Sequence, residues 1–368
     1  MLTRLYIDNY RCFVNFEYRP GRKQLIFGRN GTGKSSFMDA LLDVRRFVVG
    51  GHDAAKCFSK YNLTRWHNRR EQTFEIEAEV DGRGYVYRLV IDRWGEPIEP
   101  RVLSETVKCD GRPIFEFVSG DVHLYNDRFE HKVTYSLNQS RSALDAQAPS
   151  KENLLLMAFK RWLGGLLCFR LNPFAMRIEA PGEDLYPNVD LSNIAAWYRH
   201  LQQTDPETRD ALTADLRQAL ACFRHFRLQM VDEKVRLLFA DFEASGDEPT
   251  GYGLSELSDG QRCLVCLYVI LHFLVKSGKT VILDEPDNFV SLREIQPWLT
   301  AVDDVIAEGR GQVFIISHHP EIINQWAAKN GVRFVREGVG PTRIIPLESG
   351  RYPSLLPSEI MARGWEDE

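Results

Sequence analysis

Gly28-Arg29-Asn30-Gly31-Thr32-Gly33-Lys34-Ser35-Ser36 is the stretch that decides the fold, because Gly28, Gly33, Lys34 and Ser35 complete the pattern G-x-x-x-x-G-K-[ST]. Immediately upstream, Lys23-Gln24-Leu25-Ile26-Phe27 is a short apolar run ending at a glycine, which predicts a buried strand feeding a loop. Downstream, Phe37, Leu41, Leu42 and Val44 recur at helical spacing, so Ser36 to Val44 is predicted as a helix that the loop opens. Strand, glycine-rich turn and helix in that order make a phosphate cradle. Glycines let backbone N–H groups turn inward around an anion, Lys34 places a cation on the β and γ oxygens, and the Ser35 hydroxyl suits magnesium. The residues from Gly28 to Ser36, including Arg29, Asn30, Gly31, Thr32 and Gly33, are therefore the candidate nucleotide contacts.

The 368 residues could form one large domain or two ordinary ones, and 44% hydrophobic composition is ample for a core. The longest apolar run, Cys263 to Val275, is too short for a membrane span and contains His272, so it reads as a buried helix and no membrane partner is expected. The N-terminus lacks a signal-peptide pattern, which makes a cytoplasmic location the expectation. Seven cysteines without framework spacing suit a reducing compartment. Cys263 and Cys266 form a CxxC inside the apolar helix, where buried thiols are the expected reading. A net charge of −5 hides an asymmetry: residues 1–70 carry 14 Lys/Arg against 5 acids. Within that basic region Arg65-Trp66-His67-Asn68-Arg69-Arg70 has the composition of a nucleic-acid contact, but one such cluster is more often a solvated surface, so nucleic acid is permitted as a partner and not required.

Along the chain, LTRLYI and FVNFEY flank Asp8 to Arg11 and predict a hairpin before the phosphate loop. From Thr73 to about Asp127, the runs FEIEAEV, YVYRLVI, VLSETVK and PIFEFV alternate apolar and polar residues between Asp81-Gly82, Trp94-Gly95 and Asp110-Gly111 turns, an antiparallel β lobe. Pro149 to Phe226 turns helical, with Leu154, Leu155, Met157, Ala158 and Trp162 in one segment and Leu212, Leu216, Leu220 and Phe223 in another that starts at Asp205-Pro206-Glu207. Neither sustains heptads, so no long coiled coil is expected. Phe226 to Phe239 reads as two strands about Asp232-Glu233-Lys234, Ala244 to Gly253 as a loop, and Val332 to Leu347 as a closing strand pair before a short tail, Leu355 to Trp365.

Three further pieces follow the phosphate loop in order. Leu257-Ser258-Asp259-Gly260-Gln261 precedes the apolar helix; Thr280 to Leu283 is an apolar strand ending in Asp284-Glu285; and Val313 to Ile316 is a second, ending in Ser317-His318-His319. Magnesium is a hard cation that wants oxygen, so Asp284 at a strand end is the candidate metal ligand beside Ser35. Glu285, one residue on and aimed differently, is the candidate to orient or deprotonate water, and His318 the candidate to contact a γ-phosphate and sense its loss, with His319 as the fallback.

Phosphate loop, LSxGQ-type signature, strand-Asp-Glu and strand-Ser-His in that order resemble the ATP-binding cassette superfamily. The opening LYIDNYRCFVNFEY with LIFGRNGTGKSS is similar to RecF, structural-maintenance-of-chromosomes (SMC) proteins and the ATPase half of OLD (overcoming-lysogenization-defect) nucleases, and DEPDNFVSLREIQPWL to OLD-like AAA ATPases of anti-phage defence systems. Transporter cassettes place lysine and signature closer than the 224 positions that separate Lys34 from Ser258. The resemblance implies an α/β P-loop ATPase head with a mixed central sheet, an antiparallel β lobe and a helical lobe. It implies one composite head over 1–368, with the phosphate-loop core and β lobe in 1–150, a helical insertion in 151–225, and the signature, acid pair and histidine in 226–368. It further implies ATP and Mg2+ as cofactors, Lys34, Glu285 and His318 as catalytic, Arg11 reaching the nucleotide, Gln139 monitoring magnesium, and Ser258, Gly260 and Gln261 meeting the γ-phosphate held by another copy. A homodimer sandwiching two ATPs, open to higher assembly, is the implied state. The tail after Leu347 leaves no room for the nuclease domain of OLD proteins, so a separately encoded nuclease or toxin effector is expected. A RecF-like DNA repair ATPase and a nucleotide-gated scaffold with little turnover are the alternatives.

Overall fold

The computed structural model describes residues 1–94, 99–243, 249–346 and 355–363. They divide into two compact units: Met1–Leu167 with Asn330–Glu348, and Cys168–Lys329 with Ser349–Glu368.

In the first unit, β1 (Leu2–Asp8) and β2 (Phe16–Tyr18) form the expected hairpin, and β3 (Lys23–Phe27), buried but for its first residue, delivers the chain to the phosphate loop. The helix α1 (Lys34–Val49) follows, longer than its apolar pattern suggested, and then a one-turn helix α2 (Ala54–Cys57) capped by Asp53. Next come β4 (Gln72–Val80), β5 (Arg83–Trp94), β6 (Glu99–Cys109), β7 (Arg112–Val118), β8 (Asp121–Tyr125) and β9 (His131–Ser136). These six extend the hairpin into one antiparallel eight-stranded sheet, in the order β2-β1-β4-β5-β6-β7-β8-β9. Period-two alternation explains it: Phe74, Ile76 and Ala78 of β4 are buried with Tyr85, Tyr87 and Leu89 of β5. Gly95 of the expected Trp94-Gly95 turn lies outside the described residues.

A single buried acid ties this sheet to the loop after β9. Glu105 of β6 accepts hydrogen bonds from Tyr87 Oη (3.1 Å), Ser142 Oγ (2.6 Å), Ala143 N (2.9 Å) and Leu144 N (3.3 Å). The helix α3 (Leu154–Gly164) then packs Phe159 against Tyr85 and Tyr87.

The second unit contains β10 (Leu166–Phe169) from its third residue on, then β11 (Glu179–Ala180), α4 (Ile194–Thr204) and α5 (Pro206–Ala219). Asp205 caps α5 through Thr208 N and Pro206 occupies its first turn, as the sequence predicts. The helix stops sooner than expected, however: Leu220 is already extended, Cys222 has φ 62°, and Phe223 opens β12 (Phe223–Met230). β13 (Arg236–Phe242) pairs with β12 on one edge and with β11 and β14 (Thr250–Gly253) on the other. Part of the predicted loop is therefore strand β14, and residues 244–248 lie outside the described residues.

The apolar run becomes α6 (Asp259–Ile270), continued by a π turn over Leu271–Val275, and every residue from Cys263 to Val275 is buried. Cys266 Sγ lies 3.7 Å from Met176 Sδ, a packed core thiol. β15 (Thr280–Asp284) and β16 (Gln312–Ile316) pair in parallel across α7 (Leu292–Ala307), and both strands are buried along their whole length, as expected of a covered parallel pair. After α8 (Pro320–Asn330), the chain returns to the first unit as β17 (Gly331–Val335), parallel to β3, and β18 (Arg343–Pro346), antiparallel to β17. Leu347 of the predicted strand pair falls outside the described residues, and the tail holds a short helix, α9 (Pro357–Ala362). No described helix exceeds 16 residues, and none is long and apolar enough to cross a membrane.

Candidate functional site

The phosphate loop belongs to the first unit and is shaped by its backbone. Gly28 has φ 143° and a Cβ there would meet Phe334 O at 2.2 Å; Gly33 has φ 101°, with Cys12 Sγ at 2.5 Å and Thr342 Oγ1 at 2.9 Å from the same imagined atom. Only glycine fits either place. Gly31 also has a positive φ, 82°, but faces open space. Thr32 Oγ1 donates to Arg29 O (2.8 Å), and Thr342 Oγ1 donates to Thr32 O (2.7 Å), fastening the turn to the residue just before β18. Lys34 is buried, with Nζ 2.6 Å from Gly28 O and 3.1 Å from Arg29 O, so its ammonium lies inside the curl of the loop. Ser35 is exposed and Ser36 half-buried on the first turn of α1, where helix geometry leaves the leading N–H groups without intrahelical acceptors.

Two other predicted residues of this unit stand apart from the loop's hydrogen bonds. Arg11, itself at φ 49°, bonds Asp39 Oδ2 of α1 at 2.5 Å, and its guanidinium lies 5.3 Å from the Tyr10 ring. Tyr10 Oη donates to Asp43 Oδ2 (2.8 Å), while burial pushes the Asp43 carboxyl up to about 6. Gln139 lies on the segment after β9, where its carbonyl accepts from Val102 N (2.8 Å). In the basic cluster, Arg69 is paired in a fork with Asp8 (2.7 and 3.1 Å), and Arg336 lies 5.3 Å from the Trp66 ring with Nη1 3.3 Å from Gly31 O.

The second unit carries the signature, the acid pair and the histidines. Ser258 is the exposed N-cap of α6: its Oγ accepts from Gln261 N (3.2 Å) and Gln261 Oε1 accepts from Ser258 N (3.0 Å), a reciprocal capping box. Gly260 is needed for close approach, since a Cβ there would lie 2.7 Å from Phe289 O in the turn after the acid pair. Asp284 ends β15 with only 6% of its side chain exposed, and its Oδ2 accepts two bonds from Arg170, from Nε at 2.9 Å and Nη2 at 2.6 Å. Glu285 sits at φ 50°, a left-handed conformation costly for a residue with a Cβ and held by its N–H on Ile316 O (2.8 Å). Asn288 Nδ2 donates to Glu285 Oε2 at 2.9 Å.

His318 is exposed after β16. His319 N donates to Ser317 Oγ (2.9 Å), and its Nδ1 accepts from Glu321 N (3.2 Å), so His319 is fixed at the start of α8. Asp287 is buried, and burial raises its carboxyl above the ordinary range despite the opposing Ser317 hydrogen bond. Asn288 and Arg170 hold the acid pair, and Arg170 matches no motif; a carboxylate at the end of an apolar strand was the one hint that such a cation had to be found. Within the first unit, the buried Lys34 ammonium with the α1 N-terminus has the chemistry to take a triphosphate, and Ser35 is an oxygen donor; within the second, Asp284 is an oxygen donor of the kind a hard divalent ion takes.

A family model described as "AAA domain, putative AbiEii toxin, Type IV TA system" matches residues 25–324, which takes in the loop, the signature, the acid pair and the histidines. The chain belongs to that AAA-domain family. Among solved structures, the SMC head bound to the C-winged helix domain of ScpA aligns over 95% of this chain and 99% of its own, with TM-score 0.58 and 12% identity. The Smc head domain with an extended coiled coil bound to the C-terminal domain of ScpA, derived from Pyrococcus furiosus, aligns over 100% and 99%, with TM-score 0.58 and 11% identity. At such identities the likeness speaks for the fold alone: this AAA-domain chain has a mixed α/β, SMC-head-like P-loop ATPase fold. No curated protein matches the sequence.

Proposed function

We propose that the chain is a magnesium-dependent ATPase that closes as a head-to-tail homodimer on ATP and thereby controls a separately encoded effector. The observation that carries the reading is the glycine-locked loop at the N-terminus of α1, with the Lys34 ammonium held inside it, in a chain of the AAA-domain family. Backbone N–H groups of the loop and α1 bind phosphate oxygens and Lys34 neutralises them. Ser35 and Asp284 hold the magnesium ion, which supplies charge neutralisation when bound, with Gln139 monitoring it. Glu285, fixed in an uncommon backbone conformation and oriented by Asn288, positions water and takes its proton; His318 senses the terminal phosphate.

Ser258 and Gly260 serve a second copy. The Ser258 Oγ already accepts from Gln261 N, which leaves its hydroxyl proton to donate outward at an exposed helix N-terminus suited to an anion. Arg11 reaches the nucleotide only by leaving Asp39. Control of a toxin or nuclease, in anti-phage defence, is supported by the toxin-system wording of the family description and by the resemblance of the DEPDNFVS stretch to defence ATPases.

Turnover by the wild type and Glu285→Gln tests the reading. Glu285→Gln should keep ATP binding, accumulate as dimer on size-exclusion chromatography with ATP, and lose roughly 10²-fold or more in turnover. Absence of magnesium-dependent hydrolysis by the wild type, with and without DNA, would refute it.

A further inference from the structure

Asp284 presents a physical problem that its assigned role does not address: a carboxylate with 6% of its side chain exposed cannot stand uncompensated, because an unpaired buried charge is strongly destabilising. The chain solves it from 114 positions away. Arg170 is the first residue after β10, and two of its N–H groups converge on a single oxygen of Asp284, Nε at 2.9 Å and Nη2 at 2.6 Å. Its main chain is anchored, with Arg170 N donating to Val189 O at 2.8 Å, while 52% of its side chain is exposed. The backbone is fixed, and the guanidinium has solvent to swing into.

We propose that Arg170 is a displaceable counter-cation for Asp284, an internal competitor that a divalent metal must dislodge before it can take Oδ2 of this carboxylate. The inference rests on the reading of Asp284 as a metal ligand. Two charge-assisted N–H bonds occupy the lone pairs of Oδ2, and a magnesium ion requires oxygen lone pairs at close range, so guanidinium and metal cannot share that oxygen. Their like charges add to the exclusion. Arg170 therefore sets the magnesium level at which the site loads, and its two bonds hold the Asp284 carboxylate in place meanwhile. It is a positioning residue that acts through Asp284.

The test is a magnesium titration of the full chain with a fluorescent ATP analogue at fixed concentration, following nucleotide fluorescence, with manganese binding by electron paramagnetic resonance as a second readout. Relative to wild type, Arg170→Gln should lower the metal midpoint about five- to tenfold, while its thermal transition without nucleotide falls. Arg170→Lys keeps the charge but loses the fork, and its midpoint should fall between the two. A midpoint unchanged or raised in Arg170→Gln overturns the proposal, since a merely structural role would leave it unchanged and a phosphate-binding role would raise it. Should Arg170→Gln not fold, Arg170→Lys decides by the same criterion. A wild type that binds the analogue with no magnesium dependence at all would instead overturn the assignment of Asp284 on which this rests.

Discussion

The phosphate loop of the first unit and the signature and acid pair of the second are held in shape by opposite means. Around Gly28 and Gly33 the constraint is steric and sits on the backbone itself: at Gly28 a Phe334 carbonyl, and at Gly33 the Cys12 sulfur and Thr342 hydroxyl, lie so close that no side chain can be inserted. Around Ser258, Asp284 and Glu285 the constraint is mostly side chain to side chain or side chain to backbone: Ser258 with Gln261, Arg170 with Asp284, Asn288 with Glu285. The first arrangement is all-or-none, whereas the second is a set of separate contacts, each of modest strength and each able to exchange partners. Under the function proposed above, a loop that grips phosphate suits the former, and residues that answer to metal and to a second copy suit the latter.

Alanine in the loop gives the largest expected effect and the first way to break this contrast. Gly28→Ala places a Cβ in the Phe334 carbonyl at a φ of 143°, and urea unfolding should show a loss of about 3 kcal/mol or more. Gly31→Ala disrupts the same loop where nothing lies within 4 Å, and should cost only the left-handed backbone penalty, about 1–2 kcal/mol. Equal losses would mean that packing against Phe334 is not what fixes the loop. In the second unit, Ser258→Ala removes one half of a capping box and should cost about 1 kcal/mol, with a fall in turnover larger than that loss of stability explains.

The smallest effect sharpens the comparison by pH. Asp43, behind the loop on α1, keeps its proton in the folded state up to about 6, whereas the unfolded chain releases it at the ordinary aspartate value. Between those values the folded state binds more protons, so this group makes stability fall as pH rises through the window. Asp43→Asn should flatten that part of the stability profile, as measured by urea midpoints at successive pH values.

Legibility in the sequence followed the same division. The loop was readable to the residue because its backbone demands glycine at fixed positions, and β4 to β7 were readable because one face of each is buried and the other is not. β9 was missed because five of its six residues are exposed, leaving no alternation, and β14 because Gly251 and Gly253 give it the composition of a loop. Leu220 and Phe223 prolonged an apparent helical stripe past Ala219, where tertiary pairing of Phe223 with Phe242 overrides it. At the site, the LSxGQ-type signature and the acid pair were plain, though not that Ser258 and Gln261 form a capping box, and Arg170 belongs to no motif and meets Asp284 only through the fold.

Glu105 carries a consequence for the segment that bears Gln139. One carboxylate gathers the hydroxyls of Tyr87 and Ser142 and the amides of Ala143 and Leu144, so this segment has surrendered its independence to β5 and β6. It will exchange its amide protons in step with the strands beneath it, and whatever flexes that sheet will be felt at Gln139 as the displacement of a rigid lever.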